Sequence, residues 1–395
     1  MTIKNIKPGL DLIVLKGSQE ERAWREARAF KEKASKLIPE ARRETRKIVC
    51  EAASQLPFFF QTPAFFGMNI KKYLYEHGAG VEYYTTREDL RVMAKELGID
   101  VRELALFNLL EETIVYTLGI PSCTSIGIEK SRTGNGNMIG RNLDFFGRGI
   151  LDRNAVVKIH FPFGKREIPY IVLGDLPCYL GVSHTGMNQE GLSVSLNYMF
   201  AGKQDRRGKP VPLILEEILL KARTVNEAEN ILRDNKTANH WGFLFADSKE
   251  IVAIEKNNSL QDNVKTLPRD GYLVLTNHSL YDVPENLPWF LREIIKASKK
   301  RKEIVERELE KRARITNEEL IKILGYGFKP GKAPEFLNPA EWDKSVCSYF
   351  TLVSVIMYPE KRAAHIFVGS PAIKEKGYYI DFDGYHPEIN LQGKI

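Results

Sequence analysis

Hydrophobic periodicity marks one clear boundary along this chain, and it falls at a glycine and a proline. Before residue 120, apolar residues in "REDLRVMAKELGI" and "VRELALFNLLEETIVYTLGI" recur every three to four positions, the spacing of an amphipathic helix. Gly119 and Pro121 close that run. From Cys123 onward the period becomes two, and strands are expected at 123–129, 138–143, 154–161, 168–173, 179–184, 191–198, 242–246, 251–255, 272–276, 347–357 and 364–369. Helical patterns interrupt them at "LILEEILLKARTVNEAENILRD", after Pro212, and at "WFLREIIKASKKRKEIVERELEKRA". A shorter one, "TNEELIKILG", opens with a capping-box pattern from Thr316 to Glu319. Helices before the boundary and many hairpin strands after it predict an α+β layered fold.

Composition narrows the functions. A chain of 395 residues, 43% hydrophobic and 28% charged, is globular and large enough for one big core or two domains. The net charge of +7 would suit an anionic partner, but the basic excess sits at 22–47 and 292–314 among interleaved glutamates, the pattern of solvated helix faces. Nucleic acid is therefore not expected as a partner. Cys50, Cys123, Cys178 and Cys347 are far apart, which indicates neither a disulfide framework nor a zinc site, and no cofactor is implied. The first 17 residues hold no apolar run of signal-peptide length and no segment reaches the roughly 20 residues of a membrane span, so a cytoplasmic protein is expected.

The first strand pair after the boundary carries the chemistry. If its turn, "TGNGN" at 133–137, centres near residue 134, Asp144 falls beside Thr124 and Arg141 beside Gly127, both a few residues from Cys123. Arg141 and Asp144, three apart, share a face only where the strand ends or bulges. A thiol that attacks an amide needs a base, and no histidine lies within 35 residues of Cys123. The alternative base is the residue's own α-amino group, whose ordinary pKa of about 7.7–8.0 lies near the operating pH. That group exists only once the Ser122–Cys123 bond is cut. Taken on chemistry alone, Cys123 also fits a small buried hydrophobe, and Arg141 with Asp144 a structural ion pair.

The string "FNLLEETIVYTLGIPSCTSIGIEK" followed by "GNMIGRNLDF" resembles the acid ceramidase and N-acylethanolamine acid amidase family of N-terminal-nucleophile hydrolases, in the wider group that includes choloylglycine hydrolases and isopenicillin N acyltransferase. The likeness is dense from 106 to 146 and thinner but collinear to about residue 280. It implies a four-layer αββα sandwich, self-cleavage before Cys123, a mainly helical N-terminal region 1–122 kept as an α subunit, and a catalytic β subunit 123–395. It implies Cys123 as nucleophile, Arg141 steadying the thiolate and Asp144 holding the α-amino group. In "LVLTNHSLYD" it makes Asn277 the oxyanion donor, and in "GLSVSLNY" it makes Asn197 a site residue. Tyr198 stands where acid ceramidases have a glutamate, which leaves the ceramide substrate unsupported.

The expected activity is cleavage of a small-molecule N-acyl amide through a Cys123 thioester. An acyltransferase that passes the acyl group to an amine uses the same intermediate and stays open, as does a non-enzymatic basic binding protein. The segment "LPFFFQTPAFFGMNIKKYLY", 56–75, fits either core packing or an apolar wall for an acyl chain or lipid surface. Arg292 is a candidate basic residue near the substrate, whereas His184, His240, His278 and Cys347 are expected to be structural.

Overall fold

A computed structural model describes residues 3–7, 9–54, 80–110, 112, 123–145, 149–150, 152–200, 205, 207–256, 263–281, 289–328, 345–372 and 377–386. Ser122 and the aromatic segment 56–75 lie outside the described residues. The chain opens with β1 (Ile3–Lys7) and β2 (Leu10–Gly17), then the long α1 (Gln19–Ser54), α2 (Val81–Thr85), α3 (Glu88–Leu97) and α4 (Val101–Asn108). Next come β3 (Thr124–Ile128), the one-turn α5 (Lys130–Thr133), β4 (Met138–Asp144), β5 (Ala155–Pro162), β6 (Tyr170–Asp175), β7 (Thr185–Asn188) and β8 (Ser193–Tyr198). Then follow α6 (Val211–Lys221), α7 (Val225–Asp234), β9 (Trp241–Ala246), β10 (Ile251–Lys256), β11 (Val264–Thr266) and β12 (Tyr272–Leu275). The chain continues through α8 (Trp289–Glu310), α9 (Asn317–Leu324), β13 (Thr351–Tyr358), β14 (Ala363–Val368), β15 (Tyr378–Asp381) and β16 (Gly384–His386).

The strands form two sheets, ordered β1-β2-β5-β6-β7-β8-β9-β10-β11 and β12-β3-β4-β13-β14-β15-β16. Ile139, Val355 and Met357 of the second sheet meet Val157, Ile171 and Val194 of the first in one core. On the outer face of the second sheet, Ile126 and Ile128 pack against Ile304, Val305, Leu320 and Ile323 of α8 and α9. Phe30 and Leu37 of α1 cover Ile13, Leu15 and Val156 of the first sheet, and Ile214 and Ile218 of α6 join the core on that same sheet. The order helix, sheet, sheet, helix is the expected αββα sandwich. Burying each such Ile or Leu contributes roughly 1.5–3 kcal/mol. The sheets approach closely at Gly127, where an added Cβ would stand 2.6 Å from Ile251 Cγ2.

Local chemistry accounts for most boundaries. The capping box at Thr316 and Glu319 is present, and Ser18 with Glu21 makes a similar reciprocal pair at the start of α1. No helix among the described residues is long and apolar enough to cross a membrane.

Three expectations need correcting. The helical pattern after Pro212 is two helices, because Thr224 caps a new start by accepting from Glu227 N at 3.3 Å. The segment 179–184 is buried but is not a strand. Its backbone is satisfied partly by side chains, with Leu180 N donating to Asn108 Oδ1 at 2.5 Å and Tyr179 O accepting from Lys158 Nζ at 2.6 Å, and partly by loop contacts such as Val182 N to Pro212 O at 3.0 Å. Finally, β1 and β2 precede the helices, and β2 runs parallel to β5 from Leu10↔Ala155 to Gly17↔Pro162. Leu10 and Leu12 face the core between the sheets, whereas Ile13 and Leu15 face α1. A strand buried on both faces reads as a continuous apolar run rather than as an alternation.

A buried ion cluster joins α1 to this sheet. Lys158 Nζ lies 2.9 Å from Glu26 Oε1 and 3.2 Å from Asp175 Oδ2, with all three side chains almost fully enclosed.

Candidate active site

Cys123 stands immediately before β3, and the ladder Thr124↔Asn142, Ser125↔Arg141, Ile126↔Gly140 brings β4 back beside it. The register is two residues away from the expected one, because the connection holds the helical turn α5 before Gly134. A slip of two keeps every side chain on its expected face. Arg141 therefore shares the inter-sheet face with Ser125, and its Nη2 lies 3.5 Å from Cys123 Sγ. Both residues are at most 2% exposed.

From the facing sheet, β8 supplies the partners of that guanidinium. Arg141 Nη1 donates to Leu196 O and, at 3.5 Å, to Asn197 Oδ1. Ser125 Oγ also donates to Asn197 Oδ1, at 2.6 Å, and Asn197 Nδ2 donates to Leu275 O at 3.3 Å. Cys123, Arg141 and Asn197 thus form one buried group spanning both sheets.

Asp144 is the last residue of β4, which meets the strand-end condition set by the three-residue spacing. Its Oδ1 accepts from Thr351 Oγ1, while its Oδ2 is buried with no hydrogen-bond partner among the described residues. Burial pushes the Asp144 carboxyl up to about 7, against the opposing pull of Thr351, Arg301 and Arg141.

Asn277 follows β12. Its Nδ2 donates to Tyr198 O at 3.0 Å, its backbone N–H to Ser298 Oγ at 2.8 Å, and its Oδ1 accepts from Arg301 Nη2 at 2.7 Å. Arg301 completes the group. Burial lowers its guanidinium below the ordinary arginine value, and the charges of Asp144 and Cys123 oppose that shift. Through Arg301 the Asn277 arm and the Asp144 arm meet on one cation.

All five expected residues are therefore buried together at one end of the β3–β4 pair. Arg292 is not among them. It is exposed on the outer side of α8, beside Lys296, Lys299 and Lys300. The buried basic residue of that helix is Arg301, and a sequence signal for it exists: Ile294, Ala297, Ser298, Arg301, Ile304, Val305 and Glu308 make the helix's buried stripe. An arginine on the stripe of an otherwise solvated helix marks a site more sharply than one in the charged run.

The remaining candidates are placed as follows. His278 Nδ1 contacts Thr276 Oγ1 at 3.1 Å and Ser298 Oγ at 3.0 Å, and burial pushes it down to about 4. His240 lies 3.9 Å from Glu255, and His184 is buried in the wall of a pocket between the sheets. That pocket is lined by Leu143, Phe145, Leu176, Tyr179 and Leu352 beside the Asp144 end of β4. Cys123, Cys178 and Cys347 are buried. Among the described residues, no three His, Cys, Asp or Glu side chains are grouped to hold a metal ion.

Comparison with known proteins gives the chain its relatives. Its fold is similar to that of a Caenorhabditis elegans N-acylethanolamine-hydrolyzing acid amidase ortholog, at 20% identity and TM-score 0.44, covering 60% of this chain and 93% of that one. A variant of conjugated bile acid hydrolase from Clostridium perfringens matches at 14% identity and TM-score 0.43, over 69% and 95% of the two chains. Penicillin V acylase from Agrobacterium tumefaciens matches at 15% and 0.35, over 66% and 86%. No curated protein matches the chain. Residues 131–372 match the sequence model of the family described as acyl-coenzyme A:6-aminopenicillanic acid acyl-transferase, a span that starts just after Cys123 and takes in the other four expected residues. Because that span is more than half of the chain, the protein belongs to the acyl-coenzyme A:6-aminopenicillanic acid acyl-transferase family, in the N-terminal-nucleophile group that the Cys123 motif resembles.

Proposed function

We propose that the chain cuts itself between Ser122 and Cys123 and then works as a cysteine amidase on linear N-acyl amides with an apolar acyl group. The observation that carries this reading is the buried contact of Arg141 Nη2 with Cys123 Sγ at 3.5 Å. A cation held against a sulfur favours the thiolate that attacks carbonyl carbon.

In maturation the Cys123 sulfur attacks the Ser122 carbonyl carbon, the C–N bond breaks, and the acyl group moves to sulfur while the nitrogen becomes an amine. Water then cleaves the thioester, leaving a Ser122 carboxylate and a free Cys123 thiol and α-amine. That amine is the base for turnover: it takes the thiol proton as sulfur attacks the substrate amide, and it returns a proton to the departing amine. The Oδ2 of Asp144 is an acceptor suited to the resulting ammonium, and the paired charge would lower the carboxyl from its raised value. Asn277, its orientation fixed by Arg301, is the oxyanion donor, and Asn197 supports Arg141. Residues 1–122 and 123–395 would then be the two subunits of one precursor. The apolar pocket beside β4 is where an acyl group would lie, and an apolar wall or lipid contact from 56–75 belongs to the same reading.

Intact-protein mass spectrometry tests the first step. Two fragments are expected, the larger beginning with an unblocked cysteine, and an active chain unbroken at 122–123 would remove the proposal. The family match favours a second reading, in which an amine rather than water takes the acyl group from Cys123. Supplying an amine together with an N-acyl amide separates the two, since only transfer yields a new amide.

A further inference from the structure

Resting on that reading, we propose that Thr351 is a positioning residue, committing one oxygen of Asp144 so that the other is presented to the Cys123 amine. The backbone shows how it comes to be there. β13 pairs with β4 as Val353↔Leu143 and then Thr351↔Asp144, with a slip of one residue between them. Had the ladder continued regularly from Val353, Leu352 would stand opposite Asp144 and offer no hydrogen bond. The extra residue places a hydroxyl there instead, and Leu352 joins Leu143 in the pocket wall.

The hydrogen bonds around Thr351 favour Asp144 as the acceptor of its proton. Ser348 N–H donates to Thr351 Oγ1 at 3.1 Å, so that oxygen is an acceptor from the backbone. Cys347 Sγ lies 3.3 Å from the same oxygen, and its own proton goes to Ser370 Oγ at 2.9 Å. Thr351 then donates to Asp144 Oδ1. The Asp144, Cys347, Thr351 and Ser370 side chains are all buried, so water does not compete for these positions. A donor fixed on Oδ1 resists rotation of the carboxyl and leaves Oδ2, which has no hydrogen-bond partner among the described residues, for the amine to take.

The charged groups acting on Asp144 are Arg301 from α8 and Arg141 from its own strand; Cys123, ahead of β3, acts on Arg301, and Cys347, in the turn before β13, touches Thr351. A neutral donor favours the carboxylate over the acid, so its loss should raise the pH at which Asp144 ionises. Burial already holds that group near 7, which places the effect within the working range.

The test follows scission at 122–123 by intact mass in freshly synthesised full-length chain, and hydrolysis of an N-acyl amide by the matured chain in which the amine exists, each from about pH 4 to about pH 9. Thr351→Val and Thr351→Ala should move the acid limb of the rate profile up by about one pH unit, roughly a tenfold loss below it. Thr351→Ser should keep the wild-type limb. A merely structural role would sort the variants by size, placing Ser with Ala, and that grouping overturns the proposal. The Ser and Ala pair decides the matter even if the Val variant does not fold. A wild-type chain that is active yet uncut removes the reading beneath it, and this is seen without any Thr351 variant.

Discussion

Arg301 donates to the side-chain oxygen of Asn277 at 2.7 Å, from a helix that crosses the sheet 24 residues later in the chain. The contact fixes the Asn277 amide with Nδ2 toward Tyr198 O, because a guanidinium only donates and must face the oxygen. Replacing Arg301 with Met keeps most of the volume but frees that amide. Turnover should fall by about 10² with little change in KM, as expected for a donor aimed at a developing oxyanion. Steady-state kinetics on the matured protein checks this, and a fall of less than about threefold would separate Arg301 from the chemistry.

Cys123→Ala should yield a folded chain that stays whole and inactive, with a melting curve close to that of the wild type. Cys178→Ala, by contrast, should mature and turn over normally while losing about 1 kcal/mol of stability. Intact mass and a denaturant melt distinguish the two, and any activity in Cys123→Ala comparable to wild type would sink the nucleophile assignment.

Asp144→Asn should separate stability from function. Its carboxyl is raised from 3.8 to about 7 by burial, so between those values the folded chain holds a proton that the unfolded chain lacks. This stabilisation is complete below about 4 and is lost as pH rises through about 7. Asn cannot ionise, so the variant should be more stable than wild type at pH 8 by about 1 kcal/mol or more, yet impaired in scission and turnover. Thermal melts at pH 5 and pH 8 measure the effect, and an equal difference between the two proteins at both values would contradict it.

Lys158→Met should destabilise the fold by about 3–5 kcal/mol, because it leaves Glu26 and Asp175 buried without their cation. The cluster joins α1 to β5 and β6, on opposite sides of the proposed cut, so loosening it should also weaken retention of residues 1–122 after scission. Urea unfolding and gel filtration of the matured variant report both effects.

Much of the candidate site lies within a short stretch of chain, and that part was legible. The period change at Gly119 and Pro121 marks where the Cys123 hairpin begins, although β1 and β2 precede it, and a hairpin about 20 residues long must return Arg141 and Asp144 to Cys123 whatever the rest of the chain does. Its register was expected two residues away, since α5 hides inside what reads as a plain turn. Asn197 and Asn277 came from family resemblance, because an asparagine near a strand end carries no signal of its own.

Tertiary structure decided the rest. Arg301 reaches Asn277 only because α8 packs its buried stripe on the second sheet, and Thr351 reaches Asp144, 207 residues away in sequence, only through a bulge in β13. β2 reads as an apolar run until α1 and the facing sheet are seen to bury its two sides. Alternation, turn chemistry and caps are set by neighbours within a few positions, so the sequence alone determines most elements after Cys123 and the existence of the Cys123 hairpin, though not β1, β2 or the hairpin's register. Which distant side chains share a buried carboxylate depends on how the sheets and helices pack, and no local pattern encodes that.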